Sequence, residues 1–172
     1  MNNSEILKRK SSIIITSSDF QAGEMIPSKY TCDGENVSPC LMWEGIPTGT
    51  ASLIIIMEDR DIPMPQIPLF TWVHWIVYNL SPNMNSLPEA VPSSVILEGG
   101  ALHGMTSYRR FGYSGPRPVS GTHRYYFNLY AADIMLDLQP KDATKKKIFQ
   151  ALEGHLLAKG ELMGRYRKPK LT

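Results

Sequence analysis

Short apolar runs separated by turn residues dominate this chain. Ile13-Ile14-Ile15-Thr16 is β-branched and short, and reads as a first strand. Residues 27–50 carry Pro27, Pro39, Pro47, Gly34, Gly45 and Gly49 and read mainly as loops and turns. Leu53-Ile54-Ile55-Ile56-Met57 is apolar at every position, the pattern of a strand buried on both faces. Glu58-Asp59-Arg60-Asp61-Ile62-Pro63 is expected to end it, and Pro63, Pro65 and Pro68 to form a stiff connection. Thr71–Leu80, rich in Trp, Val, Ile and Tyr, predicts another strand, and Arg124–Ala131 a third clear one.

Between these runs, residues 81–94 are turn-rich, and 99–121 form a long excursion holding six glycines and two prolines. Long ordered loops in compact domains are usually functional. Helical periodicity enters late. Ile148, Phe149, Leu152, Leu156 and Leu157 recur at three- and four-residue steps, predicting a helix over 142–159. Asp142 or Thr144 would cap its start and Gly160 would close it. Leu162–Tyr166 reads as a final strand. The expectation is a single mainly β domain over residues 1–172, with one C-terminal helix and flexible ends at 1–12 and 168–172.

Composition adds detail without changing the class. The 172 residues include thirteen prolines and thirteen glycines, more than the average combined share of ~12%, as expected for many short strands. The net charge of +2 hides an asymmetry: residues 1–140 hold 9 basic and 13 acidic side chains, and residues 141–172 hold 9 and 3. A basic end can approach nucleic acid or an anionic membrane, but no aromatic residues are interleaved as in a nucleic-acid platform. A solvated helix face is the simpler reading, and no nucleic-acid partner is expected. The apolar run near the start is shorter than a secretory signal requires, and no run of transmembrane length exists. A cytoplasmic protein without stable membrane insertion is expected. Cys32 and Cys40 fit no Cys-x-x-Cys pattern, and a reducing compartment favours free thiols.

Candidate chemistry gathers where polar residues meet these strands. Asp59 and Asp61 follow the buried run, His74 lies between Trp72 and Trp75, and His123 and Tyr125 open the third strand two residues apart, hence on one face. Taken singly, each has a plain alternative: strand-end acids at a turn, a satisfied core histidine, a core tyrosine. His103 and His155 are isolated and read as structure or solvent. The chain has no phosphate-binding Gly-x-x-x-x-Gly-Lys-Ser/Thr loop, no His-Glu-x-x-His and no Gly-x-Ser-x-Gly. Two His and two Asp could in principle hold a metal, but no spacing supports one. No metal or other cofactor is expected.

Several longer segments carry a specific resemblance. Tyr30-Thr31-Cys32-Asp33-Gly34-Glu35-Asn36-Val37-Ser38-Pro39, Glu58–Pro63, Val73–Asn79, and Gly112–Pro118 with Gly121–Tyr125 resemble, in order, four motifs of the phosphatidylethanolamine-binding protein family in its bacterial and archaeal branch. Glu153-Gly154-His155 and Gly160-Glu161-Leu162 are similar to that branch's C-terminal end. The resemblance runs from about residue 13 to 167. It implies a Greek-key-like β-sandwich with a C-terminal helix packed near the sheet, and a small anion pocket at one end. The matching positions are Asp59, Asp61, His74, Gly115, Pro116, His123 and Tyr125, with backbone amides of the Gly115–Pro118 segment. The ligand implied is a small anion such as phosphate, phosphoethanolamine or a carboxylate. An Asp beside a His would favour the imidazolium form. The resemblance further implies a kinase or protease as protein partner, and a homodimer.

Three positions depart from the family pattern. Arg60 and Ile62 stand where Pro and Ala are usual, and Arg60 could add anion affinity or pair with Asp61. Cys40 replaces a second proline, which would loosen the turn and bring a thiol near Cys32. A non-enzymatic anion-binding module is the leading expectation. Two other classes stay open. One is a hydrolase in which a His–Asp pair activates water. The other is an interaction protein docking through Lys145, Lys146 and Lys147.

Overall fold

The computed structural model describes residues 13–169, so the expectation of flexible ends falls largely outside the described residues. Eight strands and one α-helix follow in order: β1 (Ile14–Thr16), β2 (Leu41–Glu44), β3 (Ser52–Met64), β4 (Ile67–Leu80), β5 (Ser86–Leu87), β6 (Leu102–His103), β7 (Thr122–Ala132), α1 (Lys145–Ala151) and β8 (Leu156–Arg167). They form a five-stranded sheet ordered β6-β4-β3-β7-β8 and a three-stranded sheet ordered β1-β2-β5. The fold is mainly β, as the pattern predicts.

The apolar run of β3 explains the layering. Leu53, Ile55 and Met57 join Ile15, Leu41, Trp43 and Leu87 in a core between the two sheets. Ile54 and Ile56 point the other way and pack with Ile148 and Leu152 of the α1 region. All five run residues are fully buried. Period-two alternation thus feeds two cores from one strand. The helix does cover the sheet, on the face opposite the small sheet.

Tertiary pairing overrides local pattern in three places. The acids after Met57 do not end β3; they lie inside it, and the proline-rich connection is the tip of the β3–β4 hairpin, where Met64 pairs with Ile67. The loop reading of 27–50 missed β2, whose Leu41 and Trp43 are buried while Met42 and Glu44 are exposed. The helix is seven residues long rather than running to Lys159. Gly154 takes a positive φ of 79° shortly after it, and the chain turns back as β8. In β8, Ala158, Gly160, Leu162, Gly164 and Tyr166 are buried at every second position, paired with β7 along nearly its whole length. Leu156 falls at helical spacing from Leu152 by coincidence. A seven-residue helix has little stability of its own, so the ladder with β7 decides.

The charges of the basic segment are partly internal. Thr144 caps α1 through the Lys147 amide, Lys147 pairs with Asp142 at 3.3 Å, and Lys145 pairs with Glu58, which is nearly fully buried on β3.

Candidate functional site

The site assembles on the face of the large sheet that meets the small sheet, toward the β3–β4 hairpin. Asp59 pairs in register with Tyr125 on one side and Trp72 on the other. His74 lies two residues from Trp72 and shares its face, so in a regular strand the next residue, Trp75, would point away. However, the ladder slips between Met57–Trp75 and Glu58–Val73, which makes His74 the extra residue of a β-bulge. The His74 ring meets Tyr125 edge-on at 5.4 Å. Tyr125 in turn stacks on His123 at 6.5 Å. The structure brings Asp59, His74, His123 and Tyr125 together, all at most 2% exposed.

Each polar atom in this cluster has a definable role. Asp59 Oδ1 accepts from the Asp61 amide at 2.8 Å, and its Oδ2 lies 2.7 Å from His123 Nδ1. His123 Nε2 is 3.0 Å from the Ser120 carbonyl. Both ring nitrogens of His123 are thereby engaged within the protein. Asp61 is tied to Arg124 by the backbone amide at 2.8 Å and by the guanidinium at 2.8 and 3.0 Å. Burial opposes its ionisation, but the Arg124 hydrogen bonds and charge outweigh burial and hold the carboxyl below the usual carboxylate range. Asp61 therefore organises the backbone beside the cluster and has no free oxygen to present.

His74 behaves differently. Its Nδ1 lies 2.7 Å from the Ser114 carbonyl, which can only accept, so Nδ1 carries the proton. Burial pushes its pKa below the ordinary histidine value, and the Ser114 carbonyl and the Asp59 charge only partly offset this. Burial therefore disfavours the imidazolium form of His74, while the nearby Asp59 charge favours it. In the neutral ring Nε2 is left as an acceptor.

The glycine-rich segment frames the cluster through contacts that its sequence does not announce. Asn36 Oδ1 accepts the Gly115 amide at 2.8 Å, Pro116 O accepts the Cys32 amide at 3.1 Å, and Tyr113 donates to Tyr30 O at 2.7 Å. A Cβ on Gly115 would stand 2.3 Å from Tyr30 O, so only glycine permits this approach. The Thr31–Pro39 segment thus serves as the clamp of the loop. Of the amides expected from Gly115–Pro118, the prolines have none and that of Gly115 is used. The Arg117 N–H remains, beside the Tyr125 hydroxyl.

Sequence reasoning missed Trp72, Tyr108, Ser114 and Ser120. Tyr108 packs edge-on against both Trp72 and His74 at 5.4 Å. The Arg110 guanidinium lies 5.2 Å over the Tyr108 ring and donates to Ser114 Oγ. Trp72 and Tyr108 are half-buried, so the cluster reaches the surface through them. Two buried side-chain donors find no hydrogen-bond partner among the described residues: Trp72 Nε1 and the Tyr125 hydroxyl. Both belong to this cluster. Buried polar groups are nearly always paired, so two orphans in one place mark a site that an external acceptor completes. Among the described residues no group of three or more His, Cys, Asp or Glu stands in a metal-binding arrangement.

The three departures resolve by position. Arg60 lies on the opposite face, because strand alternation separates it from Asp59 and Asp61. It pairs with Glu58 at 2.7 Å and Glu161 at 3.1 Å and lies 3.8 Å over the Tyr126 ring. It neither touches the cluster nor pairs with Asp61. Ile62 is half-buried in β3, and nothing in the structure links it to the cluster. Cys40 anchors its turn instead of loosening it: its amide, which a proline would lack, donates to Asp19 at 2.8 Å. Both cysteines are free thiols.

Residues 16–167 match the sequence profile of the family described as Phosphatidylethanolamine-binding protein. The chain belongs to that family. A UPF0098 protein of Methanothermobacter thermautotrophicus is 45% identical over 143 residues, covering 83% of this chain and 91% of its own. One from Chlamydia trachomatis is 39% identical over 154 residues, covering 90% and 98%. The crystal structure of the C. trachomatis phosphatidylethanolamine-binding protein homologue CT736 superposes with a TM-score of 0.82 at 38% identity, over 92% of this chain and 99% of that one. Escherichia coli YbcL, at 24% identity and a TM-score of 0.80 over 92% and 100%, shares the fold. The phosphatidylethanolamine-binding protein fold therefore carries the Asp59/His74/His123/Tyr125 cluster described above.

Proposed function

We propose that this protein binds a small oxyanion, phosphate or a phosphomonoester head group, at the Trp72–His74–Tyr125 cluster. The observation that carries the reading is the pair of buried donors without acceptors, Trp72 Nε1–H and Tyr125 O–H. The Arg117 backbone N–H, which lies beside the Tyr125 hydroxyl, adds a third donor at the same place. An oxyanion offers several acceptor oxygens and satisfies all three. His74 Nε2 faces the opposite requirement. As a neutral acceptor it selects an oxygen that still carries a hydrogen, such as the P–OH of a monoanionic phosphomonoester. Protons are therefore taken up when ligand binds above the second phosphate pKa of about 6.

Within this reading Asp59 and His123 position Tyr125 and do not touch the ligand, while Gly115 and Pro116 set the course of the loop that brings Arg117 in. For the hydrolase alternative, both nitrogens of His123 are engaged, which leaves His74 Nε2 as the base that reading would have to use. Docking through the lysine triplet loses one of its three charges, since Lys145 is tied to the buried Glu58, whereas Lys147 pairs with Asp142 on the surface. A neighbour solved as a carboxypeptidase Y inhibitor with its proteinase shares the fold alone, at 16% identity and a TM-score of 0.54, and assigns no protease partner here. No helix among the described residues is long and apolar enough to cross a membrane.

Calorimetric titration with phosphate and phosphoethanolamine tests the reading. Heat of binding that vanishes in Tyr125→Phe and His74→Ala supports it. Equal heats in all three proteins would overturn it.

A further inference from the structure

A second cavity, of about 330 Å³, lies at the far end of β4 from His74. Leu80, its nearest lining residue on that strand, lies six positions along the chain from His74, which corresponds to about 20 Å of extended chain. Its walls are Leu80, Met84, Leu87, Val91 and Leu97, with Glu98 at the mouth. It is apolar, and it shares no residue with the oxyanion cluster.

The walls are held in place by hydrogen bonds rather than by contents. The Ala90 and Val91 amides donate to Ser38 O and Oγ, both at 2.9 Å. The Met84 carbonyl accepts the Trp43 indole at 2.8 Å. The Ser94 carbonyl lies 2.7 Å from Nδ1 of the fully buried His103. Pro88 and Pro92 stiffen the same arch. A preformed apolar hollow of this size is at the lower end of small-molecule sites, and roughly twice the ~150 Å³ dry cavity that accepts benzene.

Charge narrows the occupant. Glu98 is the one charged residue of the lining, it is exposed, and no cation pairs with it among the described residues. A carboxylate at the rim of an apolar hollow complements a cationic head on an apolar tail. We propose that this cavity is a ligand site for a small cationic amphiphile, an alkyl chain ending in an ammonium group, with the chain among Leu80, Leu87 and Leu97 and the head at Glu98.

The experiment is a titration with decylammonium, and separately with decanoate, both below their micelle concentrations, followed by the methyl resonances of Met84 and Leu87. Saturable shifts at both methyls with decylammonium are expected, with decanoate about tenfold weaker. Glu98→Gln, a surface change that leaves the fold intact, should weaken decylammonium by about two- to fivefold, the range of an exposed ion pair. Val91→Trp should fill the hollow and abolish the shifts while phosphate still perturbs the Trp72 indole, which also shows that the variant folds. Absence of methyl shifts with decylammonium, or equal binding of decanoate, or an unaltered affinity in Glu98→Gln, would overturn the proposal.

Discussion

His123 Nδ1 lies 2.7 Å from Asp59 Oδ2, and both side chains are sealed from solvent. The contact joins β7 to β3 beneath the candidate site and fixes the ring on which Tyr125 stacks. Removing one partner of a buried polar pair leaves the other unsatisfied, at about 3–5 kcal/mol. Asp59→Ala is expected to lose stability in that range in urea unfolding. A loss below about 1 kcal/mol would show that the pair does not organise the site.

Tyr125→Phe should separate binding from stability. The hydroxyl has no partner within hydrogen-bond distance among the described residues, so its removal relieves an unsatisfied buried group, which otherwise costs about 1–3 kcal/mol. Thermal unfolding is expected to be unchanged or to move upward. Phosphate affinity should fall at least about tenfold, the value of one hydrogen bond to a charged ligand.

Acid should weaken the fold in two stages. The folded-state pKa of His74 is depressed by burial, and that of His103 is depressed for the same reason. The unfolded chain therefore takes up protons below about pH 6.5 that the native state refuses. Stability is full above that pH and falls as the pH is lowered. A second loss begins below about pH 4, where Asp61, whose native pKa is depressed by Arg124, becomes protonated first in the unfolded state. Urea midpoints measured from pH 8 to pH 3 should show both declines. The upper one should shrink in His74→Gln, and the lower one in Asp61→Asn.

Gly115→Ala tests the clamp on the loop. Its methyl would meet Tyr30 O at 2.3 Å, so the segment must move away from Asn36. Overpacking of this kind costs about 1–3 kcal/mol, and phosphate affinity should drop because the Arg117 amide moves with the loop. Differential scanning calorimetry and a phosphate titration of the same variant check both effects.

Much of this architecture was legible in the chain, and the misses have physical causes. The run Leu53–Met57 announced a doubly buried strand because five consecutive apolar residues, mostly β-branched and bounded by polar and proline residues, suit a short strand covered on both faces. The helix end was misread because Leu156 lies four residues after Leu152, as in a helix, and also in step with the buried alternation of β8, and only the β7 ladder chooses between them. Asp59, His74, His123 and Tyr125 were legible through their motifs. Trp72 was not, because alternation places it on the face of His74 but does not show that its indole lacks an acceptor. The bulge that turns both His74 and Trp75 to one face is encoded by no local pattern. The sequence also treats the two histidines alike, whereas His123 is engaged on both sides and His74 keeps one nitrogen free.

The indole N–H resonances of the three tryptophans offer the most direct test of the oxyanion site. Trp43 donates to Met84 O and Trp75 to His103 Nε2, at 2.8 and 3.1 Å, whereas Trp72 Nε1, beside Tyr108, has no acceptor within hydrogen-bond distance among the described residues. In a phosphate titration followed by ¹⁵N–¹H spectroscopy at low salt, the Trp72 indole should move downfield and saturate while the other two stay in place. A Trp72 indole that does not move at millimolar phosphate, or three indoles that move together, would contradict the account.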